Sequence, residues 1–228
     1  MSKVYIDCGH GGADSGAICR SKNIFEKNIV LEVGKKVETK LKACGMDVKM
    51  SRTNDITKSL AQRTSEANSW GADVLVSIHC NDVDNTAAQG IETYCYKFKY
   101  RKLADNVHTE LVNAKLYTKN RGVKEGNLHM VRESNMSACL VELGFMNNED
   151  DIKLLLNKQD EFATAIAKGI CRYFGVPYKE ASKPNPTPQA GALYRICATA
   201  VTGEAKANAE IENLKKLGYK DAYKIAVK

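Results

Sequence analysis

Val74-Leu75-Val76-Ser77-Ile78-His79 decides the fold class. From Val74 to Ile78 the run is almost continuously apolar. That is the pattern of a strand buried on both faces, as in a parallel sheet covered by helices. Working outward, Ser59 is placed to N-cap a helix through Leu60, Arg63 and Ala67 that ends near Gly71. Before it, Val4–Asp7 and Asp47–Ser51 read as strands, with a helix from about Ile24 to Cys44 between them. That helix aligns Val30, Val33, Val37 and Leu41 and stops at Gly45. After it, Ile91–Tyr96 and Cys139–Leu143 read as strands. Leu103, Val107, Leu111 and Ala114 mark a helix, as do Phe162, Ile166, Ile170 and Phe174. Repeated β-α-β order predicts an α/β fold: a mostly parallel twisted sheet with helices on both faces.

This pattern fills residues 1–176 of the 228. Residues 177–190 hold all four prolines, Pro177, Pro184, Pro186 and Pro188, which predicts a stiff linker. Residues 191–228 read as one small β-α-β unit: a strand at Ala192–Ala198, a helix at Ala205–Leu217 and a strand at Ala222–Val227. Such a unit is too small to bury a core alone, so it is expected to dock on the body or pair with a second copy.

The net charge of +7 is uneven. Residues 1–176 carry 25 Lys and Arg against 22 Asp and Glu, while residues 191–228 carry 7 against 4. A basic tail favours polyanions, and an anionic cell wall fits as well as nucleic acid does. Against nucleic acid, the sequence shows no recognition-helix signature or aromatic-basic stripe, and its Gly-rich turn lacks the ending of a phosphate loop. No apolar run approaches the ~20 residues that span a bilayer, so no membrane insertion is expected. Met1-Ser2-Lys3 leads straight into a strand without a secretory signal. The chain is therefore expected to be made in the bacterial cytoplasm and to act elsewhere only after release. The eight cysteines form no Cys-x-x-Cys pair and are expected to be free, several of them as small buried hydrophobes.

Open α/β sheets place ligands at the carboxyl ends of their strands. Strand one runs into Gly9-His10-Gly11-Gly12, the central strand ends at His79, the late strand contains Glu142, and the first long helix begins beside Glu26. Catalytic zinc takes three protein ligands and leaves one position open, and a further carboxylate serves as general base. His10, Glu26 and His79 supply the first set, and Glu142 the second. Each has a simpler account when taken alone. His10 can line a tight loop, Glu26 can complement a helix dipole, and His79 can cap a strand. Glu142, inside Leu140-Val141-Glu142-Leu143, is harder to explain without a function, because buried carboxylates are rare without a partner.

These segments resemble the zinc-dependent N-acetylmuramoyl-L-alanine amidase family. Asp7-Cys8-Gly9-His10-Gly11-Gly12-Ala13-Asp14-Ser15-Gly16-Ala17 is similar to its opening motif, and Glu26 stands where the family carries a glutamate ligand. Ser77-Ile78-His79-Cys80-Asn81 resembles its second histidine motif, and Val141-Glu142-Leu143-Gly144-Phe145-Met146-Asn147-Asn148 its catalytic glutamate motif. The resemblance implies Zn2+ at His10, Glu26 and His79, Glu142 as acid and base, and peptidoglycan as substrate. The bond cut would join the lactyl group of muramic acid to L-alanine. Cys8 and Cys80 depart from the family pattern and are read as packing residues. The tail resembles half of the sporulation-related peptidoglycan-binding repeat, which suggests a homodimer that rebuilds the module. Asn81 and Arg132 are candidate substrate contacts, Asn81 for the stem peptide and Arg132 for one of its carboxylates. His129 and His108 are expected at the surface, and Asn147 or Asn148 is expected to cap a helix near Glu149. The rival reading is a wall-binding protein without catalysis.

Overall fold

A computed structural model of the protein describes residues 1–117, 119–180 and 204–216. The chain divides into two units, Met1–Lys183 and Pro184–Lys228, each described by itself.

In the first unit the strands are β1 (Lys3–Cys8), β2 (Ile18–Cys19), β3 (Ile24–Phe25), β4 (Asp47–Met50), β5 (Val74–Asn81), β6 (Ile91–Cys95), β7 (Asn120–Glu125) and β8 (Ser137–Phe145). The helices are α1 (Glu26–Ala43), α2 (Leu60–Trp70), α3 (Lys102–Asn113), α4 (His129–Arg132), α5 (Glu149–Asn157) and α6 (Gln159–Phe174). Six strands form one sheet in the order β4-β1-β5-β8-β6-β7. The first four run parallel, while β6 is antiparallel to β8 and pairs in parallel with β7. This is the expected α/β architecture.

Alternation along the strands sends side chains to two cores. Val4, Ile6, Val74, Val76, Ile78, Cys139 and Val141 pack with α1, α3, α5 and α6 on one face. Tyr5, Leu75, Ala138 and Leu140 pack with Ala67 of α2 and Met130 and Val131 of α4 on the other. Ser59 caps α2 through a capping box with Gln62, and Gly71 ends it in the left-handed region at φ 69°. Asn148 caps α5. Cys8 and Cys80 are buried on the first face, as expected of packing residues. The seven described cysteines are free thiols. No helix among the described residues is long and apolar enough to cross a membrane.

Three expectations change. The first helix begins at Glu26, because Ile24–Phe25 pairs with Ile18–Cys19 in a small hairpin. β7 had no apolar signature to find: its residues are all half-buried or exposed, as suits an edge strand. His108 is buried, with Nδ1 3.0 Å from Thr93 Oγ1 and Nε2 2.7 Å from Asn120 Oδ1. The strands behind α3 supply the polar partners that let an imidazole sit inside.

In the second unit the described element is α7 (Glu204–Lys216). The two tail strands, most of the Pro-rich segment and any pairing of the tail lie outside the described residues.

Candidate functional site

β1, β5 and β8 end side by side, and their last inward positions converge on the face covered by α2 and α4. His79 of β5 is in register with Glu142 of β8, and Glu142 with Glu92 of β6. The fourth member arrives from outside the sheet. β1 leaves through Gly9, and His10 turns back at φ 59°, a left-handed conformation uncommon for a side chain larger than glycine.

Two buried arginines hold that turn. Arg63 donates to the carbonyls of Cys8 and His10, both at 2.6 Å, and pairs with Asp7 at 2.8 Å. Ser77 donates to the other Asp7 oxygen at 2.6 Å. Arg52 donates to the carbonyls of Cys8 (3.0 Å), Gly9 (2.8 Å) and Lys27 (2.7 Å). The Cys8, Gly9 and His10 carbonyls lie at and past the end of β1, where backbone acceptors need side-chain donors. Burial opposes ionisation of Asp7, but the Arg63 charge and the Ser77 hydrogen bond hold its carboxyl below the usual range.

Ligand atoms of His10, Glu26 and His79 all lie within 4.8 Å of one another. His10 Nε2 is 3.2 Å from Glu26 Oε2, and His79 Nδ1 is 3.0 Å from Glu26 Oε1. The backbone N–H groups of Ala17 and Cys80 each donate to the Glu26 carboxylate at 2.8 Å. Asp14 Oδ2 meets the other nitrogen of His10 at 2.8 Å, the carboxylate–histidine pairing that orients a metal ligand. Close packing needs glycine at two points. A Cβ at Gly9 would stand 2.3 Å from the His79 ring, and one at Gly16 would stand 2.5 Å from Glu26 Oε2. Burial raises the Glu26 carboxyl, yet the two imidazoles hold it well below its ordinary range. Burial lowers His79, and Glu26 overrides this to raise it to about 9.

The donor set fits a divalent ion. One donor atom from each of the three residues can be chosen so that all lie within 4.8 Å of one another, close enough for a single ion to reach all three. Two imidazoles and one carboxylate suit zinc among the common ions.

Glu142 lies beside His79 in the sheet. Its Oε2 is buried without a hydrogen-bond partner among the described residues. Burial is the main cause that pushes its carboxyl up, to about 7, aided by the charges of Glu26 and Glu92. Glu92, one strand over, is fully engaged. It accepts from Asn81 Nδ2 (2.7 Å), the Tyr94 hydroxyl (2.8 Å), Arg121 (2.7 Å) and Lys124.

Asn81 is thus tied to Glu92 by its amide nitrogen, two residues past His79. Arg132 stands exposed on α4, paired with Glu133 and with Asn127 Oδ1 at 2.9 Å, outside the four-residue cluster. His129 is half-buried rather than solvated, with Nε2 3.2 Å from Thr64 Oγ1. Asp14, Arg52, Arg63 and Glu92 are the site residues that sequence reasoning missed. Asp14, four residues after His10, carried the one local signal.

A cleft of about 400 Å³ has none of His10, Glu26, His79 or Glu142 in its walls. Its walls are Ile18–Ser21, Asp82–Asp84 and Met146–Glu149, with Ile152. These segments include β2 and lie in the stretches that follow β2, β5 and β8.

The family model described as N-acetylmuramoyl-L-alanine amidase (Amidase_3) matches residues 4–172. The amidase CwlM of Bacillus licheniformis is 36% identical over 218 residues, covering 92% of this chain and 79% of that protein. The sporulation-specific N-acetylmuramoyl-L-alanine amidase of Bacillus subtilis (strain 168) is 33% identical over 224 residues, covering 96% and 83%. Among solved structures, the catalytic domain of the amidase CwlV from Bacillus (Paenibacillus) polymyxa var. colistinus superposes with a TM-score of 0.75. It is 36% identical and covers 78% of this chain and 100% of that one. The chain therefore belongs to the Amidase_3 family of N-acetylmuramoyl-L-alanine amidases and is an enzyme of that kind.

Proposed function

We propose that the protein hydrolyses the amide between N-acetylmuramic acid and L-alanine with zinc held by His10, Glu26 and His79. In this reading Glu142 is the proton carrier, and cutting the bond throughout the wall lyses it. The reading rests on one observation: two imidazoles and a carboxylate from distant segments meet, with ligand atoms within 4.8 Å, beside the half-buried Glu142, whose inner oxygen Oε2 has no hydrogen-bond partner among the described residues.

His10, Glu26 and His79 would hold the zinc, which would supply Lewis-acid chemistry: polarisation of the scissile carbonyl and a lowered pKa for a water. Glu142 takes a proton from the attacking water and returns it to the amine nitrogen of L-alanine as the carbon–nitrogen bond breaks. Burial raises the Glu142 carboxyl, which favours the protonated form that hands the proton back. Asp14 and the Ala17 and Cys80 amides hold the ligands in place. Asn81, its nitrogen committed to Glu92, keeps its carbonyl oxygen for an N–H of the stem peptide, and Arg132 reaches a stem carboxylate. The chain reaches the wall after release from the compartment that makes it.

The test is digestion of purified peptidoglycan with and without a chelator, followed by mass spectrometry. New L-alanine amino termini and intact muramic acid are expected, both lost with chelator and restored by zinc. Cleavage elsewhere, or cleavage indifferent to the chelator, sinks the reading. His79→Ala is expected to lose zinc and activity together.

A further inference from the structure

At the end of β6 the chain runs Tyr96-Lys97-Phe98-Lys99-Tyr100-Arg101-Lys102. Aromatic and basic residues alternate, so the expectation of no aromatic-basic stripe fails here. Residues 97–102 are all exposed, and the short 3-10 turn Phe98–Tyr100 contributes nothing to the core. Phe98 and Tyr100 are 46% and 49% exposed, more than any other aromatic side chain among the described residues. Two adjacent large rings in water are a feature folding does not ask for, and such patches mark binding surfaces. Cations stand over the rings: Lys97 5.3 Å from the Tyr96 centroid, Arg101 4.9 Å from Phe98 and Lys99 4.7 Å from Tyr100. Arg101 is neutralised by Asp105 at 2.8 Å. Lys97, Lys99 and Lys102 have no ion-pair partner among the described residues and remain available to an anion.

This surface is not part of the catalytic cluster. β6 runs antiparallel to β8, with Glu92 opposite Glu142 and Tyr94 opposite Leu140. From Glu92 to the end of β6 at Cys95 each residue carries the chain away from the row of Glu142 by about 3.3 Å, so the patch begins roughly 10 Å beyond that row. A group bound there cannot touch the scissile bond, but another stretch of the same polymer can.

We propose that residues 97–102 form a second, non-catalytic binding surface for peptidoglycan. The proposal rests on the reading of that polymer as the substrate. Sugar rings would lie on the faces of Phe98 and Tyr100, and stem-peptide carboxylates on Lys97, Lys99 and Lys102. The charge suits peptidoglycan better than nucleic acid. Three free cations beside the carboxylates of Asp105 and Glu125, which accepts from the Phe98 N–H at 2.6 Å, make a mixed surface that matches scattered carboxylates. A phosphate backbone asks for a denser track. Holding one strand at the patch raises the local concentration of further strands at the metal site.

The test uses the full chain, stripped of metal in chelator, cosedimented with insoluble peptidoglycan freed of attached phosphate polymers. Phe98→Ala/Tyr100→Ala is expected to weaken binding about five- to tenfold. Lys97→Gln/Lys99→Gln is expected to weaken it and flatten its dependence on salt. Both variants should keep the wild-type thermal midpoint and, loaded with metal, hydrolyse a soluble N-acetylmuramoyl-peptide at the wild-type rate. Equal sedimentation of the wild type and both variants overturns the proposal. So does tighter binding to an oligonucleotide than to the wall that depends on the same residues. Sedimentation involves no turnover, so failure of the catalytic reading would show separately, as absent hydrolysis of the soluble fragment by the wild type.

Discussion

Glu92 and Glu142 face each other across β6 and β8, on the same side of the same sheet, and their surroundings send them to opposite ends of the carboxylate range. Burial opposes the charge on both. At the β6–β7 edge, Lys124, Arg121 and Tyr94 overcome it and hold Glu92 below its ordinary value. At the centre of the sheet the Glu142 Oε2 has no donor among the described residues, and the carboxyl rises to about 7. A carboxylate wrapped in donors builds structure. One left bare beside two imidazoles has proton affinity to use. Residue type does not separate the two; the partners do.

Three variants and one pH series test this division. The largest effect is expected from Glu142→Gln. It keeps shape and volume but removes the proton carrier, so turnover should fall by about 10³-fold or more with zinc content unchanged. If Glu92→Gln costs as much turnover at full stability, the division between a structural and a chemical carboxylate breaks. Glu92→Gln is instead expected to show in stability, lowering it by about 3 kcal/mol in urea unfolding, because Lys124 and Arg121 lose a shared counter-ion in a half-buried place. The same change in Glu142 should not destabilise the metal-free protein at all.

The pH series follows from the opposite signs. Glu142 has its carboxyl raised by folding, so the stability its neutral form provides is complete below about 4.5 and is lost as pH rises through about 7. Glu92 has its carboxyl lowered, so its contribution is present above the unfolded value and fades as pH falls. In chelator, Glu142→Gln should therefore gain on the wild type by about 2 kcal/mol between pH 5 and pH 8.5, read from thermal midpoints. The difference for Glu92→Gln should shrink toward acid. Parallel curves for the two variants would show that the two carboxylates titrate alike.

Much of this was legible in the sequence, and what was not has a physical reason. Val74–Ile78 and Leu140–Leu143 announce themselves because strands buried on both faces have no polar alternation to hide in. His10, Glu26, His79 and Glu142 stand at the ends of such elements, so topology placed them at one rim before any distance was known. Asn120–Glu125 is an edge strand with no apolar face and reads as loop. Arg63 and Arg52 look like ordinary helix and loop cations, because their partners, the Cys8, Gly9 and His10 carbonyls, lie more than 40 residues away in the chain. His108 misleads for the same reason: its hydrogen-bond partners come from β6 and β7. Glu92 sits in Ile91-Glu92-Thr93 as an unremarkable polar position of a strand. Nothing local says that four donors will find it.

The smallest expected effect gives the sharpest test of that last point. Tyr94→Phe removes one donor to Glu92, the 2.8 Å hydroxyl contact, and nothing else, since the ring still packs beside Leu75 and Leu140. A hydrogen bond to a charged acceptor contributes about 1.5–3 kcal/mol when buried. With Tyr94 only half-buried and Lys124 and Arg121 still in place, a loss of about 1 kcal/mol is expected, at the limit of urea titration but readable in the thermal midpoint. Turnover should hold, because Glu92 keeps both cations and its grip on Asn81. A variant that unfolds as the wild type does but hydrolyses peptidoglycan several-fold more slowly would mean that the hydroxyl serves substrate through Glu92, and the β6–β7 edge would then belong to the catalytic half of the site.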